Sequence, residues 1–297
     1  MISLRRRRLV PLEDRGPLRA LFALTSMPIG GAETLLVELV RRLDRERIVP
    51  EICCLKEPGP LGEVVARDVP LHSRLIGGKY DVGVLWRLVR LMRSRRIDAV
   101  VTVGTGDKMF WGRLAAWMAG VPAICSALHS TGLPERVERL NRFLAPLTDA
   151  FIAVAESHGR YLAAHEGCPA AKVRAIPNGV DVGRFRPRWG DPTLRSSLGI
   201  PEGVPVVGIV AALRPEKDHA LFLRVAALVL RETPTAHFVL VGDGPERAGL
   251  ERLAGELGIG ASVHFLGARR DVPELLALLD NFLLTSRMEA NPVSILE

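Results

Sequence analysis

Cysteine is scarce in this chain. Cys53, Cys54, Cys125 and Cys168 are the four in 297 residues, with no C-x-x-C pair and no histidine cluster beside them. A disulfide scaffold and a zinc ribbon are therefore excluded, and reduced thiols in a cytoplasmic compartment are expected. Aromatics make up 5% of the residues and no nucleic-acid reader motif is present, so no nucleic-acid partner is expected. Long apolar runs are missing as well. The longest run without Asp, Glu, Lys, Arg or His, 114–128, contains Gly120 and Pro122 and is too short and broken to span a bilayer. Arg5–Arg8 are not followed by an apolar segment, so they do not open a secretory signal. There is no G-x-G-x-x-G dinucleotide fingerprint, and no D-x-D pair or His/Cys cluster gives a sign of a required metal.

What is present is a basic excess in one half. Residues 1–185 carry 28 basic and 19 acidic side chains, a net +9, whereas 186–297 carry 12 and 14, a net −2. Only five of the 40 basic residues are lysine. The imbalance points to an anionic partner such as a membrane surface or a phosphorylated substrate. Arginine-rich composition and solubility explain it equally well.

Short apolar runs alternate with segments of helical period. Strands are expected at 19–25, 48–54, 98–103, 122–127, 149–155 and 173–176. Helices are expected between them, at 34–43, 82–96, 108–119, 135–145 and 157–165. Strands that do not alternate in polarity belong to parallel sheets covered on both faces. The Gly-, Pro- and Asp-rich stretch 177–192 reads as a linker. Alternation then restarts, with strands at 204–210, 236–241, 262–266 and 281–285. The matching helices are expected at 216–231, 246–257 and 272–279, with another starting near Pro292. The α/β chain thus divides into a basic tail (1–17) and two tandem Rossmann-like domains (18–185 and 186–297).

Three turns carry groups that suit an anionic ligand. Gly30 and Gly31 separate the first strand from the first helix, where free backbone N–H groups can meet an anion. A plain tight turn is an equal reading, and Glu33 suits the helix dipole without any ligand. Arg214 and Lys217 follow the strand at 204–210, at the strand end where open α/β sheets bind ligands. A solvated basic loop is the bland alternative. Glu289 and Glu297 stand eight positions apart, the first in a loop and the second about two turns into a helix. Glu289 could contact a polyhydroxy group there, and Glu297 a ribose diol.

The order GGAE (30–33), His129, PNGVD (177–181), RPEKDH (214–219), VGDGP (241–245), FLG (265–267) and E-x7-E (289–297) resembles the retaining glycosyltransferases of family 4. Those enzymes have the GT-B fold, two Rossmann-like domains facing a cleft. The resemblance runs from about residue 19 to 297 and implies a metal-independent transferase. It implies a nucleotide-diphosphate-sugar donor, a glycan or lipid-linked acceptor and retention at the anomeric carbon.

By the same resemblance, Arg214 and Lys217 neutralise the donor diphosphate, Glu289 faces the sugar and Glu297 holds the ribose. Gly30 and Gly31 close on the diphosphate, and His129 lies near the transferred sugar. Asn291, Pro292 and Val293 form the turn that approaches the donor, and the loop after Gly267 contacts the nucleobase. It also implies a second domain that continues beyond Glu297, so a chain ending there is expected to fall short of full activity. A non-catalytic sugar-nucleotide-binding protein and a sugar-nucleotide epimerase of the same fold are the alternatives.

The helices at 82–96 and 135–145 are basic and amphipathic. The first carries Trp86, Arg87, Arg90, Arg93, Arg95 and Arg96, and the second Arg136, Arg139 and Arg142. Such helices can lie on anionic membranes, although helices packed on a sheet show the same pattern. Peripheral attachment to the inner membrane face is the localisation that follows.

Overall fold

The computed structural model describes residues 10–78, 80–104, 109–132 and 135–297. The Arg5–Arg8 run and the Arg136 side chain lie outside the described set. The chain forms two compact units, Met1–Gly179 and Val180–Glu297.

The first unit runs α1 (Leu12–Arg15), β1 (Leu18–Leu24), α2 (Gly31–Arg42), β2 (Ile48–Cys54), α3 (Gly59–Val65), β3 (Leu71–His72) and α4 (Val84–Ser94). It continues with β4 (Ala99–Val103), α5 (Met109–Ala119), β5 (Ala123–Ala127), α6 (Glu135–Leu144), β6 (Ala150–Ala153), α7 (Glu156–His165) and β7 (Val173–Ala175). These strands form a seven-stranded parallel sheet in the order β3-β2-β1-β4-β5-β6-β7. Successive residues of β1 point to opposite faces. Ala20, Phe22 and Leu24 pack with Leu36, Val37 and Val40 of α2. Leu21 and Ala23 pack with Val84, Leu88 and Met92 of α4 and with Ala115 and Ala116 of α5. Both faces are covered, which is why these strands read as apolar runs.

The second unit runs α8 (Pro192–Ser197), β8 (Val206–Val210), α9 (His219–Glu232), β9 (His237–Val241), α10 (Arg247–Glu256), β10 (Val263–Gly267), α11 (Val272–Leu276), β11 (Asn281–Phe282) and α12 (Val293–Leu296). Its parallel sheet has the order β10-β9-β8-β11. Phe222 and Leu223 of α9 and Leu250 of α10 cover one face against Ile209, Phe238 and Leu240. Leu275, Leu278 and Ile200 cover the other against Val206, Val239 and Val241.

Several elements differ from the sequence expectation. α1, α3, β3 and α8 are additional. The strand expected at 281–285 pairs only at Asn281 and Phe282. The helix expected from 216 begins at His219, after a 3-10 turn over Pro215–Lys217. α12 is a single turn, so Glu297 sits one turn beyond its start rather than two.

Candidate functional site

Parallel sheets of this kind bind ligands beyond the carboxyl ends of their strands, where the strand order reverses. In the first unit the order reverses between β1 and β4; in the second it reverses between β8 and β11. The expected site residues fall on the loops at those edges, and each unit can be built up separately.

In the first unit, Gly30 caps α2 and Gly31 is its first residue. The Gly30 backbone is extended (φ −164°), which any residue adopts. A Cβ there would nevertheless lie 2.5 Å from Glu33 Oε2. The Glu33 carboxylate is therefore folded back over the N-terminal turn of α2, at the positive end of the helix dipole. The loop before it is tied down by Met27 N–H donating to Pro58 O (2.9 Å) and Leu61 N–H donating to Met27 O (3.1 Å). Gly59 makes that tie possible. Its φ is +74°, and a Cβ would stand 2.7 Å from Met27 O. The Pro58-Gly59-Pro60 triplet was the available signal in the sequence.

His129 follows β5 and is partly buried. Burial, reinforced by neighbouring His158, pushes its imidazole down to about 4, so it is neutral at physiological pH. His158 on α7 is 1% exposed, and its Nδ1 accepts the Val154 N–H (3.2 Å). That hydrogen bond assigns its proton to Nε2. Glu166, 2% exposed, accepts the Gly132 N–H (3.0 Å). His158 and Glu166 thus flank the loop that carries His129, and the sequence reading gave neither a role. They lie 29 and 37 residues away from His129 in the chain, and no local spacing marks them.

In the second unit, Lys217 ends the 3-10 turn after β8, and Glu289 lies in the loop after β11. The fold joins them: Lys217 Nζ donates to Glu289 Oε1 at 2.5 Å. Both are mostly shielded, at 24% and 22% exposure. Arg214 is exposed at the start of the same turn, and no described side chain forms an ion pair with it.

Asp218 follows in the left-handed region (φ 48°, ψ 49°) and caps α9 by accepting the Leu221 N–H. Its other carboxylate oxygen receives Arg287 Nε at 2.9 Å, and that hydrogen bond holds the carboxyl below the usual range. His219, next in the chain, is fully buried; burial, with the charge of Lys217, pushes it down to about 4.

The β8 turn is braced by the β9 turn. Leu213 N–H donates to Asp243 O (3.0 Å) and Glu246 N–H to Leu213 O (3.2 Å). Gly242 has φ +143°, and a Cβ there would lie 2.0 Å from Ala211 O. A Cβ on Gly244 would lie 2.4 Å from Leu213 O. The glycines of VGDGP therefore permit a close backbone approach that fixes where Arg214 emerges. Gly267 is also left-handed (φ +68°) and accepts the Gly242 N–H (2.8 Å) through its carbonyl.

Asn291 and Pro292 are partly buried and lead into Val293, the first residue of α12. Glu297 ends the α12 turn and lines a hollow of about 300 Å³ with Phe185, Arg186, Arg188, Pro273 and Leu276. Arg214, Lys217 and Glu289 do not line that hollow. Burial raises the Glu297 carboxyl, with Arg184 acting against the rise. Among the described residues there is no group of three His, Cys, Asp or Glu side chains able to hold a metal ion.

Comparison with known proteins matches residues 29–184 to the model of Glycosyltransferase Family 4. Residues 191–297 match that of Glycosyl transferases group 1. A putative glycosyltransferase EpsF of Bacillus subtilis is 26% identical over 94% of this chain and 76% of its own length. An Escherichia coli UDP-Gal:alpha-D-GlcNAc-diphosphoundecaprenol alpha-1,3-galactosyltransferase is 28% identical over 91% of this chain and 74% of its own. The crystal structure of Anabaena Alr3699/HepE in complex with UDP and glucose superposes with a TM-score of 0.74. It is 23% identical, over 91% of this chain and 74% of that one, and at this identity it speaks to the fold. On these matches and two parallel sheets of GT-B type, the chain belongs to glycosyltransferase family 4 and is a glycosyltransferase.

Proposed function

We propose that the chain moves a sugar from a nucleoside-diphosphate sugar to a glycan or lipid-linked acceptor, with retention and without a metal. The observation that carries this reading is the contact of Lys217 with Glu289 across the β8/β11 switch point. That pairing supports the reading because a sugar diphosphate calls for a cation at its phosphates and a carboxylate at its hydroxyls. As the bond from the anomeric carbon to the diphosphate breaks, negative charge grows on the leaving oxygen. Lys217 and Arg214 stabilise that charge. Glu289 accepts hydrogen bonds from the sugar hydroxyls. The acceptor oxygen attacks on the face that the diphosphate leaves, and its proton passes to the leaving oxygen. Two basic side chains take the part a divalent cation would play. Glu297 is the ribose ligand, and Asn291, Val293 and Gly267 border the nucleotide.

On the first unit, the Gly30–Gly31 turn and neutral His129 stand at the carboxyl ends of β1 and β5. His129 is uncharged and can exchange hydrogen bonds with a sugar hydroxyl. A lipid-linked acceptor is supported by the E. coli relative, whose name specifies a diphosphoundecaprenol-linked sugar. It is also supported by α4. Val84, Leu88, Val89 and Met92 face the core. Trp86, Arg87, Arg90 and Arg93 are exposed, next to exposed Tyr80 and Val82. No helix among the described residues is long and apolar enough to cross a membrane. Salt-sensitive peripheral binding to an anionic surface at the inner membrane face is the reading that joins these facts.

The test is a panel of UDP-, GDP- and ADP-sugars with saccharide and lipid-linked acceptors, scored for product and its anomeric configuration. A retained linkage from one donor class supports the proposal; binding of donors without turnover of any would replace it with a binding protein. Co-sedimentation with anionic liposomes at low salt tests the surface, and absence of binding ends that part.

A further inference from the structure

Lys217 and Glu289 meet although little of the sheet ladder joins their loops. β11 pairs with β8 at only two positions, and the ladder finishes with Leu283 N–H donating to Gly208 O (2.9 Å). Five residues separate Leu283 from Glu289. Over that distance the backbone alone does not determine where a carboxylate ends up.

Side chains take over where the ladder stops. Thr285 Oγ1, in a residue 9% exposed, lies 3.2 Å from Lys217 O and 3.0 Å from Asp218 O and donates to that pair of carbonyls. Arg287 N–H donates to Glu216 O at 3.0 Å. Arg287 Nε donates to Asp218 Oδ2 at 2.9 Å, while Asp218 Oδ1 accepts the Leu221 N–H that starts α9. The contacts of Thr285 and Arg287 join the loop after β11 to the turn holding Lys217. Asp218 keeps a left-handed backbone without being glycine. Such conformations persist where the surroundings over-determine them.

We propose that Arg287 and Asp218 are positioning residues that clasp the loop after β11 onto the turn that carries Lys217. The clasp holds the Glu289 carboxylate against Lys217 before any donor arrives. This rests on the reading of Lys217 and Glu289 as the donor site. The Arg287 side chain is 72% exposed, so its loss leaves the core untouched. What it changes is the geometry two residues on. A misplacement of about 1 Å at a reacting centre can cost up to about a hundred-fold in rate.

The experiment compares Arg287→Ala, Arg287→Lys, Asp218→Asn and the Arg287→Ala/Asp218→Asn double variant. Asp218→Asn keeps an oxygen for the α9 cap and removes the charge that holds Arg287. Thermal midpoint, kcat, donor KM and nucleoside-diphosphate affinity are measured for each. The expected result is a drop in kcat of about ten-fold in each single variant. The double variant falls no further, Arg287→Lys recovers part of the rate, and the midpoints stay unchanged.

Losses that multiply in the double variant would overturn the clasp. So would a Arg287→Ala defect confined to diphosphate affinity with Asp218→Asn fully active, which would make Arg287 a direct donor contact. A readout without turnover separates the clasp from the reading beneath it. With only five lysines, the Nζ signal of Lys217 can be followed by NMR in the donor-free protein. Arg287→Ala should move that signal toward its position in Glu289→Gln. An unmoved signal refutes the clasp even if no donor is ever turned over. A moved signal in a protein that binds no nucleotide keeps the clasp and refutes the donor site.

Discussion

Replacing Glu289 by Gln should improve one property of the site while damaging another. In the empty protein Lys217 Nζ sits 2.5 Å from Glu289 Oε1. An incoming diphosphate must share that ammonium group with a carboxylate that also repels it. Two unit charges 4 Å apart interact by about 1 kcal/mol in water and by about 4 kcal/mol at an effective dielectric of 20. Both side chains keep about a quarter of their surface in solvent, which places the effect near the lower figure. A change of about 1 kcal/mol is about five-fold in Kd. Glu289→Gln should therefore bind a free nucleoside diphosphate about five-fold more tightly than wild type. It should transfer sugar about a hundred-fold more slowly, as when one polar partner of a transition state is removed. Calorimetric titration at low and at high salt reads the first effect, and the gap should narrow as salt rises. Equal or weaker diphosphate binding by Glu289→Gln at low salt would refute the reasoning.

Acid should remove a contribution from the first unit. Burial alone would raise the Glu51 carboxyl, but hydrogen bonds from His72, Arg95 and Arg19 hold it at about 2. Stability from this group is complete above about 4.5, the ordinary value, and is lost as pH falls toward about 2. The full shift corresponds to about 3 kcal/mol; partial exposure of Arg19 and Arg95 reduces it to about 2 kcal/mol. Urea unfolding of Glu51→Gln should therefore show about that deficit at pH 7 and about a quarter of it near pH 2.5. A deficit independent of pH would contradict the assignment. Gly242→Ala forces a Cβ to within 2.0 Å of Ala211 O at φ +143°, at a cost of about 3 kcal/mol. Its melting temperature should fall and Arg214-dependent diphosphate binding should weaken with it; an unchanged protein would mean that the β9 turn does not brace the β8 turn.

Much of this molecule could be read along the chain, for physical reasons. β1 and β2 are buried on both faces, so their apolar runs announced a parallel sheet. That Lys217 and Glu289 come together was legible because both follow strands of one parallel sheet, whose loops gather at the same edge. The end of the second sheet was not. Leu283–Thr285 keep strand-like composition, but Thr285 turns its hydroxyl to the carbonyls of Lys217 and Asp218 instead of extending the ladder. The partners of Glu51 were invisible for a different reason. Arg19, His72 and Arg95 reach it from β1, β3 and the end of α4, and such pairings leave no trace in spacing. His158 and Glu166, which flank the His129 loop, belong to the same class.

The claim on which the rest depends is that the turn carrying Lys217 holds the donor diphosphate. Titration of UDP, GDP and ADP into wild type and Lys217→Ala tests it most directly. The expected result is that wild type binds at least one of the three, and that Lys217→Ala binds the same one about ten-fold or more weakly. Equal affinity in the two proteins, or no binding of any of the three to wild type, would contradict it.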